Sequence, residues 1–347
     1  MNSVIKVVKI ISIIFFALIA AICSQKTSES IVYSINVCIN VIIPSMFIFM
    51  VISTYILSSG LYKVIFSPFY YILKKILRLD NELFSVFLLS LIGGYPIGIK
   101  LLNELISQNK NYSAIAEKSS GFLYCISPSF AITMLGLGLY GSAEAGMIIY
   151  LSNVISCFIT AVLCSRIYDL KLTDKNAITA AYGGITDAIN SSSKTLLKIC
   201  SIIVFFNSVI TAFECVLNYS GLELPVIIKS ILEISNILRI NGISVTSLPF
   251  VSSLASFGGI CVLIQCLTLV KGRYSLKKFF QLRFFNAVLS FLITQIIINT
   301  MEISVPVFAA NNEISVFNFS HQGSACVFLL IMFIIFMQKS EKNFKKG

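Results

Sequence analysis

Apolar runs of about 20 residues recur from one end of the chain to the other, and each can cross the hydrocarbon core of a bilayer. Hydrophobic residues make up 57% of the 347 residues and charged residues 12%, whereas an ordinary soluble domain carries about 25% charge. Because backbone polar groups in lipid must bond within the chain, such runs fold as helices. The sequence therefore predicts an all-α polytopic membrane protein with about 8–10 membrane segments.

Predicted membrane-spanning segments occupy most of the chain. They are residues 4–23, 31–58, 84–107, 119–140, 143–166, 196–217, 244–270, 279–300 and 322–338. The first, with Lys6 and Lys9 ahead of its apolar run, fits both a cleaved signal peptide and a transmembrane helix, and we favour the helix because further spans follow at once. Residues 60–80 and 222–240 instead show an amphipathic helical pattern, which predicts two helices lying in the membrane interface.

Most lysines and arginines lie in short connections between the predicted spans, and the net charge is +11. The positive-inside rule places such connections in the cytoplasm, against anionic headgroups, and no motif indicates nucleic-acid binding. To keep the basic segments 59–83 and 166–198 on one side, 84–107 must enter and leave the membrane there as a re-entrant hairpin. Segment 244–270 must then cross fully, because the acidic loop 301–320 belongs outside. The two halves would not fold alike, so either the repeat is imperfect or one loop departs from the charge rule, and both alternatives stay open.

Two apolar segments are interrupted by residues that destabilise helices. The first interruption holds Gly93, Gly94, Tyr95, Pro96, Gly98 and Lys100, and the second holds Ser256, Gly258 and Gly259, with Gln265 beyond it. Open backbone at membrane depth is tolerated only inside protein or beside a watery cavity. An amphipathic stretch precedes each interruption, so we predict an internal repeat and a transporter site between paired broken helices. Close helix packing at the glycine pairs is the alternative.

The side chains at the first interruption favour an anionic solute. Lys100 supplies a cation, Tyr95 supplies a hydroxyl and an aromatic face, and the amides that open a returning half-helix carry a positive partial charge. The alternative role of Lys100 is to snorkel toward the interface or to pair with Glu104.

Three further polar positions are predicted to contribute to the site. Pro128 frees a backbone carbonyl that Ser127 can satisfy or expose, although a simply kinked helix fits the same residues. Asn190 opens the second half of the chain, with a helix N-cap as its alternative role. Gln265 can donate and accept hydrogen bonds, either to a ligand or between helices.

The sequence carries no enzyme signature. His321 is the only histidine, the ten cysteines lack paired zinc-type spacing, and no Walker-type phosphate loop is present. We therefore predict no enzymatic activity, no bound metal and no cofactor.

Four short stretches resemble one known family. They are Pro44 to Phe49, Gly93 to Leu101, Ser127 to Phe130, and Phe257-Gly258-Gly259 followed by Gln265. Over residues 31–270 the chain resembles the sporulation integral membrane protein family of the Gate-domain, or nucleoside-recognition, superfamily. It departs from the family pattern in two places. Before Ser127-Pro128 the family pattern has an asparagine in a Phe-x-Asn context, where this chain has Cys125 and Ile126, and in the fifth span it has a histidine, where this chain has Ser152-Asn153.

With the internal repeat, the resemblance implies an N-terminal transmembrane helix at 1–30, Gate-like half-repeats at 31–170 and 171–338, and a basic cytoplasmic tail at 339–347. It implies a transporter that moves dipicolinic acid, a flat aromatic dianion, from the mother cell toward the forespore across the outer forespore membrane. The alternatives are a non-transporting protein of spore envelope assembly and a carrier of nucleosides or other small solutes outside sporulation. The expected partners are the small anion and the lipid bilayer, with no nucleic acid and with a homo-oligomer left open.

Overall fold

The computed structural model describes residues 2–172, 184–219, 221–240 and 244–300. All regular secondary structure within these ranges is helical, which confirms the predicted all-α class. The α-helices are α1 (Asn2–Ile22), α2 (Ser24–Val37), α3 (Ile43–Ser58), α4 (Tyr62–Ile65), α5 (Ser67–Leu77), α6 (Asn81–Gly93), α7 (Ile97–Gln108), α8 (Tyr112–Ser119), α9 (Gly138–Tyr140), α10 (Ala143–Ile167), α11 (Ile185–Tyr219), α12 (Val226–Leu232), α13 (Leu248–Phe257), α14 (Gly259–Val270) and α15 (Lys277–Thr300). Two π-helical segments, Cys38–Ile42 and Phe130–Leu137, and two 3₁₀ segments, Ile234–Arg239 and Val245–Ser247, complete the chain as described.

Five helical segments are long and apolar enough to cross a membrane, so the chain is a polytopic membrane protein, as predicted. They are Ser24–Ser58, Ala143–Ile167, Ile185–Tyr219, Val245–Val270 and Lys277–Thr300. The predicted span 196–217 is only the later part of a helix that begins at Ile185. The predicted span 322–338, the acidic loop 301–320 and the tail 339–347 lie outside the described residues.

The basic connections lie together on one face of the molecule, which we call the basic face. The Arg273 guanidinium, after α14, donates a hydrogen bond to the Asn103 carbonyl near the end of α7 (2.8 Å). Lys118 and Lys278 both lie over the ring of Tyr168. The positive-inside rule places the basic face in the cytoplasm.

Two helices of 35 residues, Ser24–Ser58 and α11, pack antiparallel at the centre of the bundle. The Asn207 amide of α11 donates to the Ser34 hydroxyl (2.9 Å), so polar side chains of the two helices satisfy one another away from lipid. Cys23 and Cys215 form a disulfide near the ends of these helices on the face opposite the basic one. A disulfide at that face fits a non-cytoplasmic, oxidising side.

Helices α6 and α7 form a re-entrant hairpin, the first hairpin, which starts and ends at the basic face. Its tip is the non-helical turn 94–96, and α6 and α7 pack against one another. At its base the Tyr112 hydroxyl, just beyond α7, donates to the carboxylate of Asp80, the N-cap of α6 (3.1 Å). The first interrupted segment thus has the hairpin shape that the charge distribution requires.

The second amphipathic stretch, 222–240, does not lie in the interface, and that prediction was wrong. After Pro225 the chain forms α12, turns at the extended residue Glu233, and returns as the 3₁₀ segment Ile234–Arg239 packed against α12. Glu233, Ile234 and Ile237 are buried. The two ends of the stretch 222–240 join α11 and α13 at the face opposite the basic face. This stretch is therefore a second hairpin, which enters from the other side. The side chains of Lys229 and Glu233 face protein instead of water, which helical periodicity alone does not distinguish.

Helices α13 and α14 form one interrupted crossing instead of a hairpin. α13 packs against α10 and α15, whereas α14 packs against α7, α11 and α12. The crossing begins opposite the basic face, where the hydroxyls of Tyr140 and Ser247 are 2.9 Å apart, and it ends at the basic face beside Arg273. The full crossing of 244–270 agrees with the charge distribution.

The described elements form two sets that run in opposite directions through the bundle. Residues 24–167 contain a long helix, a hairpin, a crossing interrupted before Pro128, and an unbroken helix of 25 residues. Residues 185–300 repeat this order with a crossing interrupted at Gly258 and a final helix of 24 residues. The counterpart of the turn at 94–96 is therefore the turn at Glu233, and Gly258 corresponds to the Ser127-Pro128 break. Our expectation that the two glycine interruptions are each other's counterparts was wrong, while the half-repeat limits near 170 stay a prediction.

Candidate functional site

The tips of both hairpins and both interrupted crossings meet in the interior of the bundle. At the first tip, a Cβ placed on Gly94 would lie 2.6 Å from Cβ of Ser127, and Gly94 has φ +79°. A Cβ on Gly258, with φ +86°, would lie 2.0 Å from the Tyr124 hydroxyl. Gly259 approaches the second hairpin at the Ile231 carbonyl. Glycine is needed at Gly94 and Gly258 both for the left-handed backbone and for this close approach.

A small cavity of about 30 Å³, lined by buried residues, lies where these elements converge. It has room for one or two waters and is far smaller than the roughly 300–1,000 Å³ of a small-molecule pocket. The lining residues are Ile42, Met46, Tyr95, Ile126, Ser127, Phe130, Ile199, Ile203, Glu233, Ile234, Ser235, Val262 and Gln265. Three predicted site residues, Tyr95, Ser127 and Gln265, therefore come together around a cavity that is closed in this conformation.

A stack of two tyrosines and an arginine lies beside the cavity. The rings of Tyr95 and Tyr124 are 4.7 Å apart and 15° from parallel, and the Arg283 guanidinium lies 4.3 Å from the centre of the Tyr124 ring. Arg283 is fully buried and donates to the carbonyls of Gly121 (3.0 Å) and Tyr124 (2.7 Å) and to the Ser256 hydroxyl (3.3 Å). A planar cation held against aromatic faces is a strong attractor for an anionic or aromatic group.

Glu233 brings a carboxyl group to the cavity wall from the second hairpin. Its Oε1 accepts a hydrogen bond from the Ser235 amide (3.2 Å), and its Oε2 has no hydrogen-bond partner among the described residues. The hydroxyls of Tyr95 and Tyr124 and the Nε of Arg283 are also buried without a hydrogen-bond partner among the described residues. Buried polar atoms normally find partners, so this concentration marks a site for water or a ligand.

Lys100 lies on the first hairpin and does not line the cavity. Its ammonium group pairs with Glu104 at 3.4 Å and donates to the hydroxyls of Thr54 and Ser192 (3.3 Å to the latter). Lys100 is 5% exposed, so it does not snorkel to the interface. The pairing with Glu104 that the helical spacing allowed is present. It partly neutralises the positive charge of Lys100, which we expected to attract the solute.

Other predicted residues shape the hairpin tip and the breaks. Gly93 packs against Ile97, and Pro96 lies at the N-cap of α7. Pro128 begins a helical stretch after the non-helical residues 124–127, so the chain is broken here and not simply kinked. Proline at a first helical position removes no hydrogen bond.

Asn190 is not part of the site. It lies exposed near the start of α11, close to the basic face and away from the hairpin tips. Helix α11 begins at Ile185, ahead of the predicted span 196–217, so Asn190 lies inside the helix and is not its N-cap either.

Arg283, Tyr124 and Glu233 escaped sequence analysis. Arg283 lies at the end of the basic stretch 271–283 and also within the predicted span 279–300, and we counted it with the basic residues of the connection. Helix α15 begins at Lys277, which places Arg283 in its second turn, inside the bundle. Glu233 belonged to the stretch assigned to the interface. For Arg283 a signal was present, since it is a charged residue within the predicted span 279–300.

A polar network ties the unbroken helices to the second crossing. The Asn153 amide donates to the hydroxyls of Ser252 (3.4 Å) and Ser290 (3.2 Å), and Asn286 accepts from Ser156 (2.9 Å) and Thr160. These interhelical bonds hold α10, α13 and α15 together as one body. In the part of the chain that the structure describes, no cluster of three histidine, cysteine, aspartate or glutamate side chains could hold a metal ion.

No protein family, curated protein or solved structure matches this chain.

Proposed function

We propose that this protein is a secondary transporter for a small solute, working by alternating access. The observation that carries the proposal is the pair of hairpins that enter from opposite faces and meet between two oppositely directed sets of helices. Sites at the junction of inverted halves, built from broken helices near the midplane, are typical of secondary transporters. The closed cavity represents an occluded state that must open toward each face in turn.

The solute we propose is a planar aromatic anion, dipicolinic acid being the candidate that the family resemblance supplies. A flat ring can stack beside Tyr95 and Tyr124, and its carboxylates can pair with the Arg283 guanidinium. In this proposal the protein works in the outer forespore membrane and moves dipicolinate from the mother cell toward the forespore.

A neutral polar solute such as a nucleoside is the second candidate. Glu233 and Gln265 line the cavity and offer hydrogen-bond acceptors and donors to a base or sugar. A carboxylate near the solute opposes binding of an anion, so the ionised form of Glu233 favours this alternative.

Counterflow in proteoliposomes tests the proposal. Liposomes loaded with unlabelled dipicolinate are diluted into labelled dipicolinate, and we expect labelled solute to enter faster than into protein-free liposomes. Tyr95→Ala removes the stacking face and is expected to slow entry about tenfold, equivalent to about 1.4 kcal/mol. The matched control is Tyr71→Ala, since Tyr71 is 85% exposed on α5.

Two outcomes would contradict this account. Entry no faster than in protein-free liposomes, with correctly inserted protein, would reject dipicolinate transport. Counterflow of uridine that dipicolinate does not inhibit would transfer the proposal to the nucleoside class.

A further inference from the structure

Glu233 is a buried carboxyl group on the wall of the cavity. It is 1% exposed and lies at the turn of the second hairpin. Its Oε2 has no hydrogen-bond partner within the described ranges, and Glu233 belongs to neither of the ion pairs Lys100–Glu104 and Lys229–Glu214. Lys229, on the same hairpin, pairs with Glu214 instead.

The hydrogen-bond donors to the Glu233 carboxyl group are the amide and hydroxyl of Ser235 and the thiol of Cys261, and none of them carries a positive charge. The titratable groups facing it are the Cys261 thiol of α14, the Tyr95 hydroxyl at the first hairpin tip and the Cys38 thiol of the long helix Ser24–Ser58. The rest of the cavity wall is mostly aliphatic. An unpaired carboxylate in such surroundings is costly, so the neutral, protonated carboxyl is the form that the closed cavity accommodates.

Protonation of Glu233 and binding of an anion favour one another. A carboxylate on the cavity wall repels an anionic solute, and a carboxyl group does not. By linkage, a solute anion that binds the protonated form better also raises the affinity of Glu233 for a proton. The same side chain therefore admits an anion only together with a proton.

We propose that Glu233 is the proton-binding group that couples solute movement to a proton gradient, an inference that rests on the proposed transport function. With the cavity open to one face, a proton from water binds the carboxylate oxygen of Glu233 and the solute anion enters. After the cavity opens to the other face, the O–H bond breaks, the proton returns to water, and the carboxylate is restored as the anion leaves. Each cycle thus carries one anion and one proton in the same direction.

Proton movement is measured first in the wild-type protein, in liposomes with a pH indicator outside. Adding dipicolinate outside is expected to make the weakly buffered medium more alkaline, and an acidic exterior is expected to drive accumulation of labelled dipicolinate. Counterflow at pH 6 should exceed that at pH 8 by about fivefold or more. These measurements depend on no variant.

Glu233→Gln imitates the protonated side chain and cannot release a proton. Its counterflow is expected to lose the dependence on pH, and the pH gradient is expected to drive no accumulation. The control Glu144→Gln, at an exposed position on α10, should behave like the wild type.

The outcomes separate this inference from the proposed function. Wild-type counterflow without alkalinisation, accumulation driven by a sodium gradient at equal pH, or gradient-driven accumulation in Glu233→Gln would each overturn proton coupling through Glu233 while leaving transport intact. Absence of wild-type counterflow would overturn the transport of dipicolinate and the coupling with it.

Discussion

At the scale of single residues, the closest backbone approach in the site is at Gly98. A Cβ at this position would lie 1.9 Å from the Leu123 carbonyl oxygen, so the first hairpin and the first interrupted crossing touch through their backbones. Gly98 lies inside α7, where alanine is intrinsically the better helix former by about 1 kcal/mol. Any loss of stability when Gly98 is replaced by alanine therefore reports the contact with residue 123 and not a change in helix propensity.

Gly98→Ala is expected to destabilise the folded protein by at least about 1–3 kcal/mol, because the backbone of residue 123 must move. Thermal unfolding in detergent measures the change. The matched control is Gly184→Ala, since nothing lies within 4 Å of a Cβ at that position. If Gly98→Ala were as stable as Gly184→Ala, the close contact between α7 and the crossing would be absent.

Part of the site could be predicted from single residues. Gly94, Tyr95 and Ser127 stand out because glycine, proline and hydroxyl residues interrupt apolar runs, and the structure brings them together. The pairing of Lys100 was also visible in its spacing from Glu104. The position of Arg283 depends on where α15 begins, and a shift of a few residues decides whether a charge faces water or the core.

At the scale of elements, the base of the first hairpin is held by the partly buried carboxyl group of Asp80. The Leu83 amide and the Tyr112 hydroxyl donate to it at 2.8 and 3.1 Å. Burial raises the pKa of Asp80 to about 6, with the neighbouring Glu82 contributing, although these two hydrogen bonds act in the opposite direction. The folded protein therefore binds this proton more tightly than the unfolded chain does.

The raised pKa of Asp80 predicts a stability that falls as pH rises. The group's stabilisation is complete below its unfolded pKa of about 4 and is lost as pH passes through about 6, with a total change of at most about 3 kcal/mol. Asp80→Asn keeps the N-cap and is expected to flatten this part of the pH profile. Melting temperatures of both proteins at pH 4.5 and pH 7.5 provide the comparison, and an equal pH dependence in the two would contradict the assignment.

The shapes of the interrupted elements were only partly predictable. The distribution of positive charge requires 84–107 to return to its own side and 244–270 to cross, and both occur. The second hairpin was missed because an amphipathic pattern looks the same whether the polar face meets water or other polar groups in a bundle. Asn236 of this hairpin illustrates the point, since its amide donates to the Asn207 side chain (2.9 Å) in the interior.

At the scale of the whole molecule, two oppositely directed sets of helices meet around a small cavity at the hairpin tips. In the transport mechanism that we propose, the two hairpins act as equivalent gates, one for each face. Because the cavity holds about 30 Å³, a solute enters only if one gate moves. The polar network of α10, α13 and α15 provides a body against which such movement can occur.

Accessibility of Ser127 from each face tests the central claim most directly. Ser127 lines the cavity and is 4% exposed, and Ser127→Cys is a small change. Right-side-out and inverted vesicles are treated with a membrane-impermeant thiol reagent, with the wild type and Ser152→Cys, which is buried in α10, as controls for background reaction. We predict that the thiol introduced by Ser127→Cys is modified from both faces and that transported solute slows the reaction. Modification from one face only, or from neither, would contradict an alternately opening site at the hairpin tips.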